Sequence, residues 1–184
     1  MVSSIVQKFR SVGSSLAQNY TSTSRRANEF VEQSLRYHFR SRWSLDGSID
    51  HVAGVLMDSS SLPHWWPQFL GAEILEPGDP RALGRVFRVV TKGWLPYKLR
   101  FQLQVMEVNY PYSFRVESTG DFHGVGIGRL RQHLGIVIVE WDWQVTVRKP
   151  LLKLGSPLMK RLFETNHYWL MRRGERHLQH LLVS

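Results

Sequence analysis

From about residue 35 onward, hydrophobic and polar side chains alternate with the period of two that is typical of half-buried β-strands. The alternation is clearest in the predicted strand over residues 97–108. From residue 97 to residue 105, aromatic and aliphatic side chains occupy the odd positions, and lysine, arginine and glutamine occupy the even ones. The same pattern predicts six further strands, over residues 37–45, 72–76, 84–92, 112–117, 123–132 and 136–148. Turn signals rich in glycine, proline or asparagine separate most of these stretches.

Two other stretches follow the helical period. Residues 49–57 have apolar side chains at helical spacing after Ser48, a residue type favoured at helix N-caps. A short turn over residues 62–67 comes next. Ser156 as N-cap and Pro157 as first helical residue then introduce a long amphipathic helix. This order predicts an α+β domain in which a curved antiparallel sheet of six or seven strands wraps around the C-terminal helix, with two short helices after the first strand.

The last two strands predict a specific register for their hairpin. If Trp141 and Trp143 point inward, the pleat requires an inward row on the preceding strand. A short turn at Leu134-Gly135 puts four residues in that row: Gly124, Gly126, Gly128 and Leu130. Glycines opposite two indoles leave room for these rings, or for a ligand between sheet and helix.

The N-terminal leader, residues 1–34, differs in composition from the domain expected over residues 35–184. Residues 1–28 contain no acidic side chain, seven serines and two threonines. This composition fits an organelle transit peptide, a weak membrane-surface helix or a frayed leader. We expect a cytoplasmic protein, with organelle targeting by residues 1–28 and peripheral membrane attachment as alternatives.

Composition narrows the function classes further. A chain of 184 residues with 42% hydrophobic and 12% aromatic side chains is suited to one folded domain rather than to a disordered chain. It contains no cysteine, which excludes disulfides, thiolate zinc sites and cysteine nucleophiles. The longest apolar stretch, about residues 134–139, is far shorter than the roughly 18 residues of a membrane span.

The net charge of +9 is concentrated at the two ends of the chain. Residues 1–42 hold seven basic and two acidic side chains, and residues 148–184 hold eight and two. Basic surfaces attract anionic lipid or nucleic acid, although most basic runs are simply solvated. Peripheral contact with an anionic membrane is one expectation, whereas no basic ladder with interleaved exposed aromatics points to nucleic acid. The oligomeric state is not indicated.

Motifs for catalysis are weak. His177 and His180 form only a pair, whereas a metal site needs three or four ligands. The spaced glycines lie in a strand and lack the features of a phosphate loop. We therefore expect no metal and no cofactor. Asp121 and His123 are the candidate acid–base residues, since such groups in an apolar pocket can move a proton, and the alternatives are a turn aspartate and a strand-start histidine.

Short motifs occur in a characteristic order from about residue 35 to the C-terminus: Trp65-Trp66-Pro67, Leu95-Pro96-Tyr97, residues 120–124, Trp141-Asp142-Trp143, Pro150-Leu151 and residues 166–174. In these motifs the sequence resembles the START-like (SRPBCC) superfamily, in particular its polyketide cyclase/dehydrase and lipid transport branch. The resemblance implies a helix-grip fold with a cavity for an apolar molecule between sheet and long helix. Gly128 departs from it, since relatives often have a bulky aromatic residue there.

The resemblance and the inward aromatic rows together predict a ligand-binding site. Its expected residues are Trp65, Trp66, Phe87, Phe101, Phe114, His123, Gly128, Trp141, Trp143, Asn166 and Trp169. The alternative is that the aromatic side chains fill a solid core. Three functions follow: binding or transport of a small hydrophobic molecule, lipid-like or polyketide-like; a cyclase or dehydratase activity; and docking on a membrane or partner through the basic termini. We favour the first, without catalysis.

Overall fold

The computed structural model describes residues 36–147 and 157–183. The predicted leader, the Pro150-Leu151 motif and the predicted N-cap Ser156 lie outside the described residues. The elements are β1 (Arg36–Asp46), α1 (Ile49–Met57), α2 (Leu62–Trp65), β2 (Phe69–Glu76), β3 (Val86–Thr91), β4 (Leu99–Asn109), β5 (Ser113–Gly120), β6 (Phe122–His133), β7 (Ile136–Val147) and α3 (Pro157–Val183). Within these ranges no helix is both long and apolar enough to cross a membrane.

The seven strands form one curved, unclosed antiparallel sheet in the order β1-β7-β6-β5-β4-β3-β2. Strands that are consecutive in the chain are neighbours from β2 to β7, and β1 pairs with the last strand. The two short helices follow β1, and α3 packs against the sheet. The predicted α+β helix-grip fold is therefore confirmed, with seven strands.

The predicted hairpin register is also confirmed. Gly126 pairs with Trp143 and Gly128 with Trp141. A methyl group on Gly126 would lie 2.5 Å from the Trp143 ring, and one on Gly128 would collide with the ring of Phe114. The glycines thus make room for large aromatic rings that cover them.

Strand boundaries differ from the prediction by up to three residues, at the end of β5 and at the start of β2. The structure starts β2 at Phe69, whereas the alternation predicted a start at Ala72. The register shifts between Phe69 and Gly71, and such an irregularity breaks the period of two on which the prediction depends.

Four tryptophans form a cluster at the centre of the core. Trp43 makes edge-to-face contacts with Trp66 and Trp141, with centroid distances of 5.3 and 5.1 Å. Trp65 lies beside Trp66 at 5.3 Å. Helix α3 contacts this cluster through Gly174, where an added methyl group would lie 2.5 Å from the Trp66 ring. The absence of a side chain at Gly174 therefore sets how closely the helix approaches the sheet.

Helix α3 also covers one end of the sheet edge formed by β1. The Glu175 carboxylate accepts a hydrogen bond from the backbone N–H of Ser44, and the Gln179 side-chain oxygen accepts one from Asp46, each at 2.8 Å. Because β1 is at the edge of the sheet, these N–H groups face away from its partner strand β7. The two side chains of α3 pair with them instead.

Candidate functional site

A cavity of about 170 Å³ lies between the sheet and α3. Its volume is close to the roughly 150 Å³ of an engineered protein cavity that binds benzene, so it suits one substituted aromatic ring. Strand alternation supplies most of the wall, because every second side chain of β4, β5 and β7 faces inward. Ten aromatic side chains line it: Phe39, Trp66, Phe69, Phe87, Phe101, Phe114, Phe122, Trp141, Trp143 and Phe163.

Six polar side chains reach the same cavity: Ser59, Arg85, Thr91, Ser118, Asn166 and His167. Three of them donate to backbone carbonyl oxygens, namely Thr91 Oγ1 at 2.9 Å, Ser118 Oγ at 3.3 Å and Arg85 Nε at 3.0 Å. No aspartate or glutamate lies in the wall formed by residues 36–147 and 157–183. The site is therefore a mainly apolar pocket with few ionisable groups, the usual character of a small-molecule site.

Asn166 connects α3 to the loop between β3 and β4. Its buried side-chain oxygen accepts a hydrogen bond from the backbone N–H of Leu95 at 3.3 Å. The backbone of Gly93 approaches the same amide so closely that an added methyl group would collide with it. Asn166 thus fixes the position of this loop beside the cavity.

His167 is a site residue that the sequence reasoning did not identify. Its ring stacks on Phe39 with a centroid distance of 4.0 Å, and its Nε2 atom is buried without a hydrogen-bond partner among the described residues. Burial lowers the pKa of His167 to about 4, so the ring is neutral at pH 7. The sequence contains a signal for this position. His167 lies at helical spacing between Phe163 and Gly174, so all three residues are on the inward face of α3.

Four polar atoms in the cavity lining lack hydrogen-bond partners within the described part of the chain: Ser59 Oγ, Trp66 Nε1, Trp141 Nε1 and His167 Nε2. Leaving such a group unpaired costs about 1–3 kcal/mol, and native proteins pair most of them. Because these four atoms are inaccessible even to a water-sized molecule in the cavity, the surface that an occupant meets is mainly apolar.

Seven of the eleven residues predicted to bind ligand line the cavity: Trp66, Phe87, Phe101, Phe114, Trp141, Trp143 and Asn166. Their contact with a ligand stays a prediction. Gly128 lies beneath the ring of Phe114, and Trp65 packs behind Trp66. Trp169 lies outside the lining, with the Arg173 guanidinium 5.3 Å from its ring centroid.

The two candidate acid–base residues lie away from the cavity. His123 is exposed, because its neighbour Phe122 is the residue of β6 that faces inward and successive side chains point to opposite faces. The Asp121 carboxylate accepts a hydrogen bond from the backbone N–H of Arg100 at 2.8 Å, in the turn between β5 and β6. Within the described residues no group of three potential metal ligands occurs.

The sequence matches no protein-family model and no curated protein. Solved structures, in contrast, resemble this chain over most of its length. The Zhui aromatase/cyclase from a Streptomyces strain has a TM-score of 0.67 at 14% identity, covering 80% of this chain and 93% of that one. A START superfamily protein from Mycobacterium smegmatis has a TM-score of 0.63 at 17% identity, covering 78% and 98%.

A major latex-like protein from Panax ginseng is similar to the same degree, with a TM-score of 0.63 at 11% identity, covering 82% of this chain and 99% of that one. At such low identity the likeness concerns the fold. The chain therefore has the START-like helix-grip fold that its motifs resemble.

Proposed function

We propose that the protein binds a small aromatic molecule in the cavity and acts as a carrier or sensor rather than as an enzyme. The observation that carries this proposal is the chemistry of the wall. Only two lining side chains of the described residues are ionisable, Arg85 and His167, and neither has a carboxylate beside it in the lining. General acid–base catalysis needs a positioned acid and base, whereas binding needs only surface and a few hydrogen bonds.

The volume supports a ring-shaped ligand over a long acyl chain. About 170 Å³ is close to the roughly 150 Å³ of an engineered cavity that binds benzene, and ten of the lining side chains are aromatic, which favours contact with a flat ring. Among the two ligand classes predicted from the sequence, a polyketide-like ring is therefore favoured over a lipid.

Native mass spectrometry of the freshly purified protein is the direct test. We expect a discrete excess mass that disappears on denaturation, and its value identifies the class of the retained molecule. A bare protein mass, together with no binding of simple aromatic compounds, contradicts the proposal.

A cavity-filling variant tests where the ligand binds. We expect Ser118→Phe to weaken toluene binding at least about tenfold, because Ser118 is buried in the wall and the added ring takes the ligand's place. Isothermal titration calorimetry gives the dissociation constants. The matched control is Thr119→Phe, an exposed position on the same strand, which should change binding less than about twofold. Unchanged toluene affinity in a folded Ser118→Phe variant places the ligand elsewhere.

A cyclase is the second candidate function, favoured by the likeness to the Zhui aromatase/cyclase. Since His123 is exposed, we expect His123→Ala to leave toluene affinity within about twofold of the wild type. Turnover of a poly-β-ketone substrate that is lost in His123→Ala would support the enzyme instead. Cytoplasmic location and contact with an anionic membrane stay predictions from the sequence.

A further inference from the structure

We propose that the outward face of α3 docks the protein on the surface of a membrane that contains anionic phospholipid. We call this surface the arginine face, and it consists of Arg161, Tyr168, Trp169, Arg172, Arg173 and Arg176. The inference goes beyond the proposed function, because it concerns the side of the helix that faces away from the cavity. It adds a partner of stated chemistry and the surface that recognises this partner.

The first argument is the placement of charge around the helix. With about 3.6 residues per turn, the four arginines fall within about a third of the circumference of α3. All four side chains are exposed, whereas His167 and Met171 line the cavity on the other side. The two acidic residues of the helix, Glu164 and Glu175, lie on one side outside this sector, and Glu175 binds the backbone of Ser44. The arginine face is therefore positive along its whole length.

The second argument is that these charges are not neutralised within the described part of the chain. On the outer face of the sheet, arginines pair with neighbouring carboxylates: Arg88 Nη1 lies 2.9 Å from Glu73, and Arg131 Nη2 lies 3.0 Å from Glu140. Over residues 36–147 and 157–183, no carboxylate lies within 4 Å of a guanidinium of the arginine face. The positive charge of this face is therefore available to an external anion.

The third argument concerns which polyanion fits. The row from Arg161 to Arg176 is roughly 22 Å long, so the helix can lie along a flat surface. Tyr168, which is 46% exposed, and Trp169 lie between these arginines, and rings with a polar tip favour the membrane–water interface. Single-stranded nucleic acid needs successive stacking platforms, whereas these two rings are neighbours at one level of the helix. The arginine face therefore suits anionic lipid headgroups best.

Vesicle cosedimentation of the full chain is the test. The wild type should bind phosphatidylcholine vesicles with about 30% phosphatidylglycerol at least about tenfold more tightly than pure phosphatidylcholine vesicles. The triple variant Arg161→Gln/Arg172→Gln/Arg176→Gln should lose at least about tenfold in affinity for the anionic vesicles, because each arginine near such a surface contributes about fivefold. Added salt should weaken the binding of the wild type, since it screens the charges.

The matched control removes the same charge from another surface. Arg42→Gln/Arg100→Gln/Arg129→Gln changes three exposed positions on the outer face of the sheet, on β1, β4 and β6. It should change the affinity for anionic vesicles less than about threefold, because charges farther from the membrane than about 10 Å are largely screened. Glutamine is a good helix former, so the α3 variant is expected to fold, and thermal unfolding checks both variants.

Three outcomes overturn the proposal. Equal losses in the two triple variants would mean that net charge, rather than the arginine face, attracts the membrane. Unchanged binding in the α3 variant would assign the contact to another part of the chain. Equal binding of anionic and neutral vesicles by the wild type would exclude anionic lipid as the partner, and binding of a DNA duplex of about 20 base pairs would then identify nucleic acid instead. The toluene affinity of the α3 variant should stay within about twofold of the wild type, so the proposed function is tested separately.

Discussion

Gly174→Ala is expected to lower the free energy of unfolding by about 2 kcal/mol, although the same change usually stabilises a helix by about 1 kcal/mol. The added methyl group would lie 2.5 Å from the Trp66 ring and 3.0 Å from the Trp43 ring. Trp66 has little room to move, because it contacts Trp43, Trp65 and Phe69. Overpacking of this kind costs about 1–3 kcal/mol, and here it exceeds the gain in helix propensity.

The matched control is Gly54→Ala in α1. Gly54 is exposed within the helix, and an added methyl group meets nothing within 4 Å. That variant should therefore gain about 0.5–1 kcal/mol. Urea unfolding of the wild type and both variants measures the three free energies. Equal effects at the two positions would show that α3 and the tryptophans can separate without strain.

Acidification is expected to destabilise the protein through His167 by about 3 kcal/mol between pH 6.5 and pH 4. Burial lowers the pKa of His167 from 6.5 to about 4 in the folded state. Between these values the unfolded chain binds a proton that the folded chain does not. The contribution of the neutral ring is thus fully present above pH 6.5 and is lost as the pH falls to about 4.

Urea unfolding at pH 7.0, 5.5 and 4.5 measures this loss. The chain has eight histidines, so the acid dependence of the wild type includes other groups, and the informative quantity is its difference from His167→Leu. We expect the stability of the wild type to fall more steeply than that of the variant. Parallel curves would mean that the folded protein admits water to the ring and that its pKa is close to the ordinary value.

The fold was predictable because its signals are local. Alternation along β4 and the spacing of apolar residues along α3 each depend on a few neighbouring residues. The pairing of Gly128 with Trp141 followed from the pleat and a short turn. The start of β2 escaped prediction because an irregularity at Gly71 changes which face the next side chain occupies.

The site was predictable only in part. Alternation along the strands predicted that Phe101 and Trp143 face inward, and both line the cavity. The sequence pattern wrongly placed His123 in the site and did not identify His167. His123 was expected at the start of a strand, but β6 begins at Phe122, whose side chain faces the cavity, so His123 faces the other way. His167 lies in the cavity lining because its ring stacks on Phe39, a contact that depends on the tertiary structure.

The side chains of Glu175 and Gln179 have a second consequence, for self-association. They stand one helical turn apart and occupy the N–H groups of Ser44 and Asp46 on an edge strand. Unpaired groups of this kind are where a strand from another molecule can add. Helix α3 thus protects the sheet against polymerisation at this end of β1. Replacing both side chains, in a Glu175→Ala/Gln179→Ala variant, would expose these two N–H groups, and we expect that variant to self-associate more than the wild type.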